Sequence, residues 1–271
     1  MRARRHPPYL PFLSGPPDIA PALKPIDQAN WLLPDTEADD WLLDKRLLMS
    51  DVPDEVMQGD LDGPAARELL SMVGEATGCT SDEDWGGALG TAAALVSDDL
   101  CLLGLDEEED WVLLAGVVAA PTYWVLEDKI GLSLGGLHGP VPGGSPGLSS
   151  RVHRIFNGLQ PDRVLERFNW TVQVGAERFT PYRPSAEGAH PEDLHLRVER
   201  QTIRKLPETG TLCFTIRVAT DPLMPILSDP DMRETFEDAW IGASHDVRTY
   251  KGWDDLEDLV RLACRQSAAA G

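Results

Sequence analysis

Three segments in the last third of the chain alternate apolar and polar residues with a period of two. They are 169–179 (NWTVQVGAERF), 195–206 (HLRVERQTIRKL) and 211–219 (TLCFTIRVA), and they predict β-strands because successive strand side chains point to opposite faces. The last two are joined by Pro207-Glu208-Thr209-Gly210, a tight turn that predicts an antiparallel hairpin. On the last strand Leu212, Phe214, Ile216 and Val218 share one face, and Cys213, Thr215 and Arg217 the other. One of these faces is expected to be core and the other a pocket or solvent.

Elsewhere the period is helical or the pattern breaks. Pro64 opens a segment in which Ala65, Leu69, Leu70 and Val73 recur at helical spacing, with Gly78 as its stop, and a second helical stretch is expected over about 84–95. Residues 1–30 are rich in proline and predict an extended arm that Tyr9, Leu10, Phe12 and Leu13 could pin; 31–53 reads as irregular structure with one or two helical turns. The apolar run from Trp111, interrupted by Pro121, predicts one or two buried strands, and 126–137 a helix. After a turn-rich loop over 139–147, Ser149 and Ser150 are placed to cap a helix carrying Val152, Ile155, Phe156 and Leu159 on one side and Arg151 and Arg154 on another. Helices are expected again at 232–240 and 253–264, the latter with Asp254, Asp255 and Glu257 in its first turn, where negative charge suits the dipole. The elements describe one α+β domain over 1–271: the arm to 30, a helical part at 31–110, a sheet-bearing core at 111–223 and closing helices at 224–271.

Composition narrows the function. Acidic residues number 45 against 24 basic, a formal charge of -21, and such a field argues against nucleic acid as a partner. The acidic runs at 35–62, 81–84 and 106–110 are either solvated surface or a docking face for a basic partner such as a reductase. No apolar run approaches the roughly 20 residues of a membrane span, and the N-terminus lacks the uninterrupted apolar region of a signal peptide. A cytoplasmic protein with no membrane partner is expected. Cys79, Cys101, Cys213 and Cys264 are scattered, which excludes a zinc site or a self-contained iron–sulfur cluster and predicts free thiols. The GGALG segment lacks the context of a nucleotide loop, and no GxSxG, HExxH or Walker motif is present.

The candidate chemistry lies in two places. His138 ends a short apolar run and is followed by Gly139, Pro140, Val141 and Pro142, which hold an imidazole at a stiff helix end. That position suits a metal ligand or an ordinary cap equally. The second is the row Arg197, Glu199 and Gln201 on one strand face, with His195 ahead of it and Ile203 after. This row is either the wall of a cavity, where the cation meets a bound anion or oxygen species and the carboxylate a cationic substrate, or a salt-bridge ladder with Arg217 opposite. Arg151 and Arg154 could reach an anionic cofactor or form a solvated helix face. His153 and His190 are backup ligands, His6 and His245 weaker ones, and Trp170 is either a core aromatic or an amine contact through its ring.

The ordered segments KIGLSLGGLHGPVPG (129–143), SSRVHRIFNGLQPDRVLERFNW (149–170) and LHLRVERQTIRKLPETGTLCFTIRVATDPL (194–223) resemble the haem-dependent oxidative N-demethylase alpha-subunit family. That family has a K-x-G-x-x-L-x-x-I-H-x-P-V-P segment, an arginine-bearing helix leading to N-W, and an E-R-Q-T-[LI]-x-[RK]-L-P-x-[ST]-G hairpin. The resemblance covers about 111–223 well, with Leu137 in place of the usual Ile. It implies a PAS-like antiparallel sheet with helices packed on one face and haem b between them, flanked by N-terminal and C-terminal helical extensions. It also implies O2-dependent oxidation of a small amine or other N-containing metabolite, with electrons from a separate NADPH, flavin and iron–sulfur reductase. His138 is then the expected axial iron ligand, Arg151 and Arg154 neutralise propionates, and Arg197, Glu199 and Gln201 polarise oxygen and, with Trp170, hold the amine. A haem gas sensor and a biosynthetic tailoring enzyme with another substrate remain as alternatives.

Overall fold

The hairpin expected from the two alternating segments lies at the middle of a seven-stranded antiparallel sheet. The computed structural model describes residues 7–17, 22–33, 38–137 and 146–270. The strands are β1 (Lys24–Ile26), β2 (Met57–Gly59), β3 (Asp99–Leu105), β4 (Trp111–Val117), β5 (Val164–Val174), β6 (Leu194–Lys205) and β7 (Leu212–Pro222), in the order β1-β5-β6-β7-β3-β4-β2. The helices are α1 (Ala38–Asp51), α2 (Pro53–Val56), α3 (Pro64–Thr77), α4 (Ala88–Ala94), α5 (Leu134–Leu137), α6 (Pro146–Gly158), α7 (Leu223–Leu227), α8 (Pro230–Ile241), α9 (His245–Lys251) and α10 (Glu257–Ala270). The protein is thus α+β, with α5 and α6 inserted between β4 and β5.

Register decides what each face carries. Arg197, Glu199 and Gln201 of β6 pair across to Thr220, Val218 and Ile216 of β7 and to Thr171, Asn169 and Arg167 of β5, so these rows share one face, called inner here. Over its apolar part α5 and α6 bring Leu134, Val152, Phe156 and Leu159 against Leu103, Trp111, Leu113, Ile203 and Leu212. The outer face is covered twice. The N-terminal helices pack Leu69, Val73 and Leu89 on Leu100, Leu102 and Cys213, while the C-terminal helices pack Phe236, Trp240 and Trp253 on Trp170, Leu196 and Val198.

Contacts distant in sequence fix the hairpin tip. Gly210, at φ +72, closes the β6–β7 turn, and Leu206 O accepts its N–H at 3.0 Å. The buried carboxylate of Glu68 on α3 then accepts from Glu208 N at 2.7 Å, Thr209 N at 2.9 Å and Thr209 Oγ1 at 2.7 Å. These bonds satisfy turn amides that the ladder cannot reach.

Several elements differ from the sequence reading. The region at 31–53 forms the long helix α1, whose Lys45 is fully buried and donates to Val96 O at 3.1 Å and Asp98 O at 2.6 Å. The apolar run at 111–126 supplies one buried strand, β4, within the one or two expected, and the chain then leaves the sheet to cross the inner face as 118–123. The 126–137 helix is instead a single turn at Glu127–Lys129 followed by α5. Ser149 and Ser150 lie inside α6, which begins at Pro146. Both β3 and α9 lack a pattern that marked them, and the second helical stretch shortens to α4. The arm is pinned by Phe12, buried against Trp170 and Phe236, whereas Leu13 is exposed. Residues 24–26 pair with β5 as β1.

Candidate functional site on the inner sheet face

The polar half of the inner face is a buried network built around Glu199. One carboxylate oxygen, Oε1, accepts the Thr122 hydroxyl, and the other, Oε2, accepts Gln201 Nε2 at 2.7 Å and Asn169 Nδ2 at 3.2 Å. Asn169 lies directly across β5 from Glu199, and Gln201 two residues along the same strand, so the pleat alone places three of these groups. Thr122 arrives from the crossing segment 118–123, anchored where Asp99 accepts Ala119 N at 3.0 Å and Ala120 N at 2.9 Å. Tyr123, at φ +63, turns that segment back, and its N–H bonds Thr180 O at 2.8 Å.

Arg197 is committed entirely to the protein. Its Nε donates to Thr122 Oγ1 at 2.8 Å, one terminal nitrogen to Gln173 Oε1 at 3.1 Å and Glu177 O at 3.3 Å, and the other to Ala120 O at 2.7 Å, Arg178 O at 3.0 Å and Pro121 O at 3.2 Å. Each guanidinium nitrogen therefore has a protein acceptor, and burial of the cation is offset by hydrogen bonds and by the carboxylate beside it. What Arg197 does here is lock the crossing segment and the Thr122 hydroxyl onto the sheet.

The charge state of Glu199 follows from opposing effects. Burial alone would push its carboxyl up, but the Thr122 hydrogen bond, the Arg197 cation, Asn169 and Lys251 together hold it below the usual carboxylate range. Lys251, the last residue of α9, donates to Asn169 Oδ1 at 2.8 Å. Its amine is pushed down to about 8 by burial, with Glu199 opposing and Arg167 reinforcing that shift. The site thus holds an ionised carboxylate in a polar network that borders the apolar cluster of Ile216 and Val218. With two oxygens and three donors, Oε1 retains acceptor capacity for a ligand N–H.

Next to this network the wall is apolar. Ile216 and Val218 are buried, while Phe214, Trp124, Leu165, Ile155 and Leu137 are only partly buried at the edge of the same clusters. Apolar side chains bordered by a carboxylate and amides have the chemistry needed for a flat hydrophobic cofactor and a small polar substrate side by side. These residues fit a haem. His138 follows directly on Leu137 but lies, with 139–145, outside the described residues.

The structure brings Arg197, Glu199 and Gln201 together as the period-two pattern requires, and separates others. Trp170 projects from the opposite face of β5, where it packs at 5.1 Å from Trp253 and 6.3 Å from Phe12 between ring centroids; the strand itself divides it from Glu199. Arg217 also faces outward, across from Arg200, and pairs with Asp98 instead of completing a ladder with Glu199. Arg151 and Arg154 are exposed on α6. His153 Nε2 lies 3.2 Å from Glu109 O, and His195 Nδ1 lies 3.0 Å from Asp193 O. His190 caps a turn through its N–H to Asp193 Oδ2 at 2.8 Å.

Three members of the network were not legible as such. Asn169 had a partial signal, its place in an alternating strand, which pairs it with Glu199 only once the register is known. Thr122 and Lys251 had none, being 77 residues before Glu199 and 82 residues after Asn169 respectively. Among the described residues no helix is long and apolar enough to cross a membrane. Cys101, Cys213 and Cys264 are buried free thiols and Cys79 is exposed.

A protein-family model described as haem-dependent oxidative N-demethylase, alpha subunit-like, matches residues 71–261, well over half of the chain. The matched span holds every strand from β3 to β7 and the whole Glu199 network.

Proposed function

The chain belongs to the haem-dependent oxidative N-demethylase alpha-subunit-like family, and from that premise we propose that it oxidises a small amine or other N-containing metabolite using O2. The ionised, buried Glu199 bordering an apolar cluster is the observation that carries the substrate reading. In this reading the antiparallel sheet is a PAS-like haem-binding core. A haem b would be held there by His138, by the apolar residues Phe214, Trp124 and Ile155, and by Arg151 and Arg154 for its propionates. The bound haem supplies activation of O2, with electrons delivered by a separate NADPH, flavin and iron–sulfur reductase.

The chain's own residues do the remaining work. Glu199 accepts an N–H of the substrate ammonium through Oε1 and fixes the nitrogen end of the molecule. Gln201 and Asn169 keep Oε2 occupied, so only one direction of approach is left. Phe214 and Trp124, partly buried against Ile216 and Val218, receive the N-methyl groups and exclude water from them. Arg197 acts indirectly, by holding Thr122 and the crossing segment that shape the pocket. N-demethylation balances as follows: the N-methyl amine, O2, two electrons and two protons give the amine shortened by one methyl, formaldehyde and water. The acidic surface of the chain, at net charge -21, suits docking of a basic reductase face.

The test is an absorption spectrum followed by turnover. The protein purified or reconstituted with haemin is expected to show a Soret band and, with a surrogate reductase, NADPH and dimethylamine, to release formaldehyde. His138→Ala is expected to shift that band or lose haem. A colourless protein that refuses haemin would refute the haem reading, and full loading with an unchanged Soret band in His138→Ala would refute the axial assignment.

A further inference from the structure

We propose that Lys251 is a positioning residue for Glu199: it fixes the side-chain amide of Asn169 so that the amide nitrogen faces the carboxylate and the amide oxygen faces Lys251. This rests on the reading of Glu199 as the substrate's partner, although the Lys251 contact itself can be tested without substrate.

Lys251 is held on both sides. It closes α9, after which Gly252 at φ +65 turns the chain, and a Cβ there would lie 1.8 Å from the Arg183 guanidinium. The next residue, Trp253, donates its indole N–H to Thr171 Oγ1 on β5 at 2.9 Å. The amine is thereby placed over the edge of β5, where its Nζ reaches Asn169 Oδ1 at 2.8 Å, and Asn169 Nδ2 reaches Glu199 Oε2 at 3.2 Å. An ammonium only donates and a carboxylate only accepts, so an amide between them has one orientation that satisfies both ends. The flipped amide would set its oxygen against the carboxylate and its NH2 against the ammonium. Both contacts would then be repulsive instead of bonded.

Lys251 is among the residues that line a cavity of about 380 Å³, together with Arg183, Glu187 and Asp255. The charged and titratable groups around this chain of contacts are Glu199, Arg167 and Arg197 on the strands, Tyr123 and Arg183 on the loops, and Tyr250 and Asp255 beside Lys251. Burial favours loss of the Lys251 proton near pH 8, and the nearby Arg167 cation adds to this, while Glu199 opposes it. A Lys251 that loses its proton can accept as well as donate, so only the Glu199 end still dictates the amide orientation and the order imposed on Asn169 weakens as pH rises.

The experiment is a titration of the Glu199 carboxyl by 13C NMR in the full chain, the signal being assigned by its loss in Glu199→Gln. Lys251→Met is expected to raise the Glu199 midpoint by about one pH unit, the effect of removing a neighbouring cation and disordering a hydrogen-bond donor. Lys251→Arg should restore most of the wild-type value, and Lys251→Met added to Asn169→Leu should move it no further than Asn169→Leu alone. An unchanged Glu199 midpoint in Lys251→Met overturns the proposal. Should that variant not fold, the side-chain amide signals of Asn169 in the wild-type protein decide instead. An inflection near pH 8 supports the proposal, and its absence between roughly pH 7 and 9 overturns it. Failure of the Glu199 reading is seen separately, as dimethylammonium binding that Glu199→Gln leaves unaltered.

Discussion

Replacing Glu199 with Gln keeps the shape of the side chain and removes its charge, and the geometry dictates how the new amide must sit. The Oε2 position receives two N–H groups, from Gln201 at 2.7 Å and Asn169 at 3.2 Å, so the amide oxygen of the variant belongs there. Its NH2 then points at Thr122 Oγ1, which already accepts from Arg197 Nε at 2.8 Å. The Thr122 hydroxyl loses its acceptor, and the position left for substrate presents N–H where it presented a lone pair. Hydrogen bonds to charged groups contribute about 1.5–3 kcal/mol. Loss of one to an ammonium substrate therefore predicts roughly a 10- to 150-fold weaker kcat/KM, at 1.4 kcal/mol per factor of ten. The rise should fall mainly in KM, because the contact is made in the ground state as well as in the transition state. Steady-state formaldehyde release at several dimethylamine concentrations measures it, with haem loading matched by the Soret absorbance. A Glu199→Gln protein within twofold of wild type in kcat/KM would refute the assignment of Glu199 as the ammonium partner.

Other expectations concern the scaffold. Arg197→Met strands Glu199 without its main cation and frees the crossing segment, and a loss of about 3–5 kcal/mol in urea unfolding is expected, as for other broken buried pairs. Glu68→Ala removes three acceptor contacts at the β6–β7 tip; because Glu208 and Thr209 are exposed and can be rehydrated, about 1–3 kcal/mol is expected, with faster hydrogen exchange at those two amides. Asp99 is pushed up to about 6, chiefly by burial, with Lys45 opposing. The folded form therefore binds this proton more tightly than the unfolded form, and the Asp99 contribution to stability is present below about pH 4 and declines as pH rises to about 6. The difference in stability between wild type and Asp99→Asn should follow that slope, and a flat difference across pH 4–6 would contradict it.

Much of the sheet was legible because strand alternation is a local property. The pleat places residues two apart on one face whatever the rest of the chain does, so Arg197, Glu199 and Gln201 could be grouped from β6 alone. The same rule, extended across β5, would have paired Asn169 with Glu199 and sent Trp170 to the other side once the register was known. Register was not available from pattern, and both Trp170 and Arg217 were open to a role on the wrong face for that reason. The helix α1 was missed because its buried face includes Lys45, a cation that main-chain carbonyls, Asp99 at 4.0 Å and the Asp98 charge make tolerable. The strand β3 was missed because the apolar run Asp99–Leu105 is buried throughout except at Leu105, so it does not alternate.

By itself, the amino-acid sequence determined the local geometry: a hairpin closed by Gly210, a face carrying Arg197, Glu199 and Gln201, and a histidine followed by Gly and Pro. These features depend only on backbone sterics and side-chain period. Tertiary structure decided which groups are free to act. It spends each nitrogen of Arg197 on oxygens of the protein, turns Trp170 into the outer core, and carries Thr122 and Lys251 to the Glu199 network from either side of it along the chain. Their charge is then set by burial at Lys251 and, at Glu199, by the hydrogen bonds and cations that outweigh burial. No pattern in neighbouring residues records contacts made across 77 and 82 positions, which is why the chemistry of this face emerges only when the chain is folded.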